Sequence, residues 1–235
     1  MVIKKGDFIY IDYTATVKET GEIFDTTDEE TAKKERLHKE GQIYEPTLVV
    51  VGEGWVLKAL DEKLPEFEIS KPSAIEIPPE AAFGNRDPDK VKLYPIRRLT
   101  SRGITPQLGM RLEMDGKPAT VRTMGSGRVQ LDFNPPLAGK TLVYEVTVKK
   151  RLRTMKEKIK ALIHRRIPTA DTKKFDVKLT KKTAEIDVPE EAFYVEGLQL
   201  AKRGIATDIR KFSPEKATVK FVETYKAQEP SVKQP

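Results

Sequence analysis

Cysteine is absent from all 235 residues, and histidine occurs only twice, as His38 and His164. The first absence excludes a disulfide scaffold, thiol catalysis and cysteine-held zinc or iron–sulfur sites. The second excludes a histidine-rich metal centre, so neither a metal nor a cofactor is expected. No stretch approaches the roughly 18 apolar residues that a membrane helix needs. The opening residues MVIKKGDFIYIDY lack the apolar core and small-residue cleavage site of a secretory leader. A soluble cytoplasmic protein without membrane contact is the expectation. Missing too are the phosphate-binding loop, the dinucleotide fingerprint, G-x-S-x-G and H-E-x-x-H.

What is present is charge. Charged residues make up 34% of the chain against 38% hydrophobic, a balance that suits several small domains better than one large core. The net charge is +7, unevenly spread: residues 1–150 hold 23 basic and 24 acidic side chains, residues 151–235 hold 20 and 12. The densest stretch, Lys149 to Arg166, has nine basic residues against Glu157 alone. Two readings stand. It is a solvated helix face, or it meets an acidic or phosphate-rich partner such as RNA or the ribosome. No aromatic interleaves it, so base stacking is not expected.

Residues 7–17 set Phe8, Tyr10 and Asp12 against Ile9, Ile11 and Tyr13, an alternation that predicts a strand. Residues 27–41 are polar and predict a loop with at most one helical turn. Thr47–Val51 predicts a buried strand. Trp55, Val56, Leu57, Leu60 and Leu64 recur at spacings that predict a short helix over 55–64. A further strand, 73–77, stops at Pro78-Pro79. From 85 to 132, prolines and glycines punctuate short alternating runs and predict a small all-β module. A strong strand follows at 142–148. Leu152, Met155, Ile159, Leu162 and Ile163 then predict a helix, ended by Pro168. Its apolar stripe packs within its own domain or on a second copy of the chain. Strands at 175–179, 184–188 and 217–224, with a helix near 190–211, complete a C-terminal α+β unit. The tail at 227–235 is expected to be disordered.

Six short motifs in order carry a resemblance: Tyr13; Gly21-Glu-Ile-Phe-Asp25; Gly52-Glu-Gly-Trp-Val-Leu57 with Leu60; Ala82-Phe-Gly84; Asn134-Pro-Pro-Leu-Ala-Gly139; and Thr141-Leu-Val-Tyr-Glu-Val146. Over residues 4–150 the chain resembles the FKBP-type peptidyl-prolyl cis–trans isomerases, and most the SlyD-like branch, whose long archaeal members carry a C-terminal extension. The resemblance implies an α+β fold: an antiparallel half-barrel (1–84 and 133–150) wrapped around a short helix, an insert-in-flap domain (85–132) that binds unfolded chains, and a C-terminal domain (151–226). It implies a pocket of Tyr13, Phe24, Asp25, Val56, Leu57, Leu60, Phe83, Leu137 and Tyr144, with Asp25 as its one buried carboxylate. Phe83 stands where tyrosine is usual, so a hydroxyl contact is missing.

The implied chemistry needs no nucleophile. The barrier to turning a prolyl amide, roughly 20 kcal/mol, comes from resonance across C–N. A dry apolar pocket favours the twisted, less polarised amide over the planar one. The Leu57 amide would fix a substrate carbonyl, and Asp25 and Tyr13 would supply polar contacts. In the insert, three of the five methionines, Met110, Met114 and Met124, stand near Tyr94, Ile96, Leu99, Leu108 and Leu112. Flexible methionines suit a surface that accepts many apolar shapes. Met110, Leu112 and Met114 share a strand face that is either this client surface or the module's own core. Expected partners are therefore unfolded or nascent chains with X-Pro bonds. A ribosomal or acidic partner and a homodimer through the C-terminal domain are the further expectations. The second functional reading is a non-catalytic holding chaperone on the same scaffold.

Overall fold

The computed structural model describes residues 2–225, so the tail expected to be disordered lies outside the described residues. Phe8–Val17 forms β1 and Ile23–Thr26 β2. The helix α1, Glu29–Lys34, is nearly two turns long, more than the one turn expected in the polar stretch, and is capped by Asp28, whose side chain accepts from the Thr31 amide. Thr47–Val50 (β3), Lys58–Lys63 (α2) and Pro72–Ile77 (β4) follow. The insert comprises Val91–Pro95 (β5), Ile96–Thr100 (α3), Arg111–Met114 (β6), Lys117–Gly125 (β7) and Arg128–Asp132 (β8). The chain returns through Leu142–Leu152 (β9). The C-terminal unit is Met155–Arg166 (α4), Asp176–Leu179 (β10), Thr183–Val188 (β11), Leu198–Phe212 (α5) and Thr218–Glu223 (β12).

Three sheets result, and the class is α+β. The first runs β2-β1-β9-β4 with β3 also on β1, all antiparallel. The insert sheet runs β5-β8-β7-β6, and the C-terminal sheet β10-β11-β12, where α5 carries the chain across to the parallel strand β12.

The period-two rule explains how the first sheet serves two cores. Odd residues of β1, Ile9, Ile11, Ala15 and Val17, are buried with Leu60 and Leu64 of the α2 segment on the concave face. On the opposite face Phe8, with Leu48 and Val50 of β3, packs against Ile159, Leu162 and Ile163 of α4 and Ile205 and Ile209 of α5. The register of β1 against β9 shifts at Tyr10/Ile11, where Lys149 is the extra residue. Such a bulge moves the next residues to the other face. Leu152 is thereby turned into the α4 core.

Several expectations are corrected. Leu152 is strand, not helix, because the bulge gives it the same burial that a helical stripe would. The 55–64 helix begins only at Lys58 and ends in a 3₁₀ turn, Leu64–Glu66. Gly52 and Gly54 have φ of +83° and +68°, and Leu57 is extended at ψ 135°, so Trp55–Leu57 form a loop. The insert is not all-β: α3 covers its sheet and buries Leu99. The 190–211 helix is broken, with a 3₁₀ turn at Glu190–Ala192 and a restart after Gly197, which caps α5 at φ +75°. The apolar stripe of α4 is covered within the chain, one of the two coverings expected of it.

Candidate active site

The concave face carries the candidate pocket. Tyr13, Phe24, Val56, Leu57, Leu60, Leu137 and Tyr144 belong to one apolar cluster. Tyr144, on β9, is its hub. Its ring lies 5.8 Å from Tyr13 and 6.1 Å, edge-on, from Phe24. Tyr13 sits opposite Val146 in the β1–β9 ladder, which explains the neighbouring rings.

Asp25 joins through one bond: the Tyr13 hydroxyl donates to Asp25 Oδ2 at 2.8 Å. Asp25 is half-buried, so the expected buried pocket carboxylate is corrected. Strand β2 lies at the sheet edge, where one flank faces water. The carboxylate raises the neighbouring phenols. Burial, then the Asp25 charge, pushes Tyr13 far above the usual tyrosine range. Burial and the same charge push Tyr144 up to about 12. Both phenols stay protonated at neutral pH.

Val56 and Leu57 form the loop wall. Leu57 is the N-cap of α2, and its amide is among the first N–H groups that a helix does not itself satisfy. Leu60 is 1% exposed, so it supports the floor and does not present a contact surface. Phe83 is 41% exposed and stands at the rim. A bond from the Gly139 amide to the Gly84 carbonyl, 2.8 Å, brings the Phe83 and Leu137 loops together. Phe24, Phe83 and Leu137 then line a cleft of about 620 Å³. Its other walls are the β1–β2 hairpin, with Val17, Thr20 and Glu22, and the insert, with Gly109, Arg111, Thr120 and Arg122.

Sequence reasoning missed Asp61. It is 4% exposed, and its carboxylate accepts from the Gly52 amide at 2.8 Å and the Gly54 amide at 2.7 Å. Those two bonds hold the loop that carries Val56 and Leu57. The signal was an acid within an apolar helical pattern, seven residues after a G-x-G turn. Also missed was the neck of the insert. Asp132, 1% exposed, accepts from Arg86, Arg122 and Asn134. Burial alone would raise its pKa, but those donors hold it below the usual range.

The insert face divides. Met114 and Leu99 are fully buried, and Tyr94, Ile96 and Leu112 pack on them. Those five are the module's own core. Leu108, Met110 and Met124 remain 70%, 37% and 43% exposed. Leu93, not anticipated, is 61% exposed on the other face.

Known proteins match this architecture region by region. A family model described as "FKBP26, IF domain" matches residues 92–137, and one described as "FKBP26_C-terminal" matches residues 155–226. The FKBP-type peptidyl-prolyl cis-trans isomerase SlyD of Treponema pallidum is 28% identical over 169 residues, 70% of this chain and 87% of that protein. The short-type peptidyl-prolyl cis-trans isomerase of Methanocaldococcus jannaschii is 33% identical over 148 residues, 63% of this chain and 93% of that protein. The chain belongs to the FKBP-type peptidyl-prolyl cis-trans isomerases. The Escherichia coli FKBP-type 16 kDa peptidyl-prolyl cis-trans isomerase is similar over a shorter part, 28% identical over 108 residues, 44% of this chain and 72% of that protein. A solved structure of the three FKBP domains of wheat FKBP73 aligns with 66% of this chain and 42% of that one, at 15% identity and a TM-score of 0.35. As an FKBP-type isomerase, this chain is a long form: the matched C-terminal segment lies beyond β9. Among its described residues no helix is long and apolar enough to cross a membrane.

Proposed function

We propose that the chain isomerises X-Pro bonds of unfolded or nascent polypeptides in the cytoplasm, the pocket turning the bond and the insert holding the client. The observation that carries the pocket assignment is the Tyr13–Asp25 bond set beside the Tyr144–Phe24 aromatic pair. It places one polar edge on an otherwise apolar floor. The proline ring seats against Tyr144 and Phe24. Desolvation there favours the twisted amide, whose carbonyl has lost resonance. The Leu57 amide orients a neighbouring substrate carbonyl. Tyr13, its proton committed to Asp25, offers lone pairs and no acid. No bond to the protein forms and no proton moves, so catalysis is differential binding of the twisted state.

Leu108, Met110 and Met124 support the client-holding role as exposed apolar residues of the insert, and the first two adjoin Gly109 and Arg111 of the cleft wall. A client held there sits at raised local concentration for the pocket. A nucleic-acid or ribosomal partner for the basic run draws less support. Lys149, Lys150, Arg151, Lys156 and Arg166 are already ion-paired to Asp12, Glu157, Asp7, Asp176 and Asp208.

The test is isomerisation of a short X-Pro peptide by the wild type, Asp25→Ala and Phe24→Ala, beside catalysed refolding of a proline-limited protein with and without residues 85–132. The Gly139 amide donates to the Gly84 carbonyl at 2.8 Å and the Asp87 amide to Asn134 Oδ1 at 2.9 Å, so the flanks of the insert run side by side and a short linker can replace it. Peptide turnover is expected to fall at least tenfold in Phe24→Ala and severalfold in Asp25→Ala. Loss of the insert is expected to reduce refolding far more than peptide turnover. A folded protein inactive on both substrates would leave the holding-chaperone reading.

A further inference from the structure

The cleft at the mouth of the pocket is charged in a way that the isomerase chemistry does not require. Where Phe24, Phe83 and Leu137 give way to the insert, the wall carries Arg111, Arg122 and Lys140. Two acids oppose them from the hairpin: Glu22, and Glu19, which accepts from the Thr141 amide beside Lys140. Among the described residues, neither Arg111 nor Lys140 has a carboxylate within ion-pair distance, although 22 such pairs occur among them. Arg122 is only partly neutralised. Its partner Asp132 is shared with Arg86, and the other carboxylate oxygen is taken by Asn134. One anion between two guanidinium groups leaves a positive excess at the neck. Arg111 and Arg122 flank Thr120 on adjoining strands of the insert sheet, since Arg111 is registered opposite Thr120. These cations are therefore held on a sheet and not on a mobile tip.

We propose that this wall selects clients in which the residues flanking the X-Pro bond are acidic. Leu108 and Met110 adjoin Gly109 and Arg111 of this wall, so a chain held on them lies beside it. An anion there meets Arg111 and the incompletely neutralised Arg122 and Lys140, and a cation meets like charge. The inference rests on the isomerase reading, because the cleft matters only if the pocket turns a prolyl bond. Partly exposed ion pairs contribute little each, so two of them give a ratio of about threefold to tenfold.

The experiment measures prolyl exchange by NMR, which needs no protease, on three peptides that differ only in carrying Glu, Gln or Lys on both sides of the X-Pro pair. At low ionic strength kcat/KM is expected to fall in the order Glu, Gln, Lys, spanning about threefold to tenfold. The span should shrink at about 0.5 M salt, where screening shortens to a few ångströms. The Arg111→Gln, Lys140→Gln double variant should lose the ordering. Arg128→Gln, on the same sheet but away from the cleft, should keep it. Equal rates for the three peptides, or an ordering that survives the double variant, overturns the proposal. No turnover of even the Gln peptide by the wild type sinks the isomerase reading beneath it.

Discussion

Asp61 governs the pocket without entering it. Its two bonds to the Gly52 and Gly54 amides are charge-assisted and buried, and each such bond contributes about 1.5–3 kcal/mol. Asp61→Ala leaves both amides without a partner. It should cost about 2–4 kcal/mol in urea unfolding and lower peptide turnover at temperatures where the variant is still folded. Asp61→Asn keeps one acceptor and should fall between. The pocket phenols give a second test. Tyr144 ionises about two units above the ordinary tyrosine value of 10.0, so the folded state holds its proton the more tightly. Its contribution is complete below pH 10 and is lost as pH rises through about 12. Unfolding at a series of alkaline pH values should show that loss, and Tyr144→Phe should reduce it. Turnover should be indifferent to these phenols from pH 6 to 9. At this scale motif order names aromatic and aliphatic residues that the fold brings into one cluster. It does not name Asp61, since a lone acid in a helix reads as solvent-facing.

Among the elements, α4 has the most explicit start signal. Thr154 accepts from the Glu157 amide at 3.2 Å, and Glu157 reaches back to the Thr154 amide at 3.1 Å, a reciprocal capping box. Thr154→Ala should cost about 1 kcal/mol, read as a lower unfolding midpoint with an unchanged slope. Lys150, then the Thr154 and Arg153 amides, draw Glu157 down to about 2 from 4.5. That support is present above pH 4.5 and is lost as pH falls through about 2. In the insert, Leu99 of α3 and Met114 share one core, and Met110 and Met124 stay outside it. Replacing Met110 and Met124 with Ser should cut refolding catalysis severalfold more than peptide turnover. Strands were readable from alternation. Helix starts were less so, because the loop before α2 and the end of β9 carry apolar residues at helical spacing by coincidence of two different burial demands.

The whole molecule folds around two joined cores and one separate one. Trp55, the only tryptophan, packs against both the pocket core and the C-terminal core. Phe212 of α5 meets it edge-on at 5.9 Å, and the Arg165 guanidinium lies 4.0 Å from its ring centre. Lys211 pairs with Glu53 on the same loop. The isomerase sheet and the C-terminal unit should therefore unfold in one transition reported by Trp55 fluorescence, with the insert separate in circular dichroism. Phe212→Ala should lower that joint transition by about 2–3 kcal/mol, less than a fully buried phenylalanine loses. Two independent transitions for sheet and C-terminal unit would refute the shared core.

Alternation and turn residues were enough to read most of the strands, and motif order named residues that the fold gathers into one apolar cluster. These are local properties, written in side-chain period and spacing. Three matters waited on tertiary structure. The double burial of Phe8 and Ile9 on opposite faces of one strand needed a second layer behind the sheet. That Met114 is buried while Met110 and Met124 are not depended on the core that Met114 shares with α3. The pairing of Lys149, Arg151 and Arg166 within the basic run required Asp12, Asp7 and Asp208, brought close only by folding. Each depends on contacts between residues far apart in the chain, and no pattern within a short window encodes which distant surface will cover a given face.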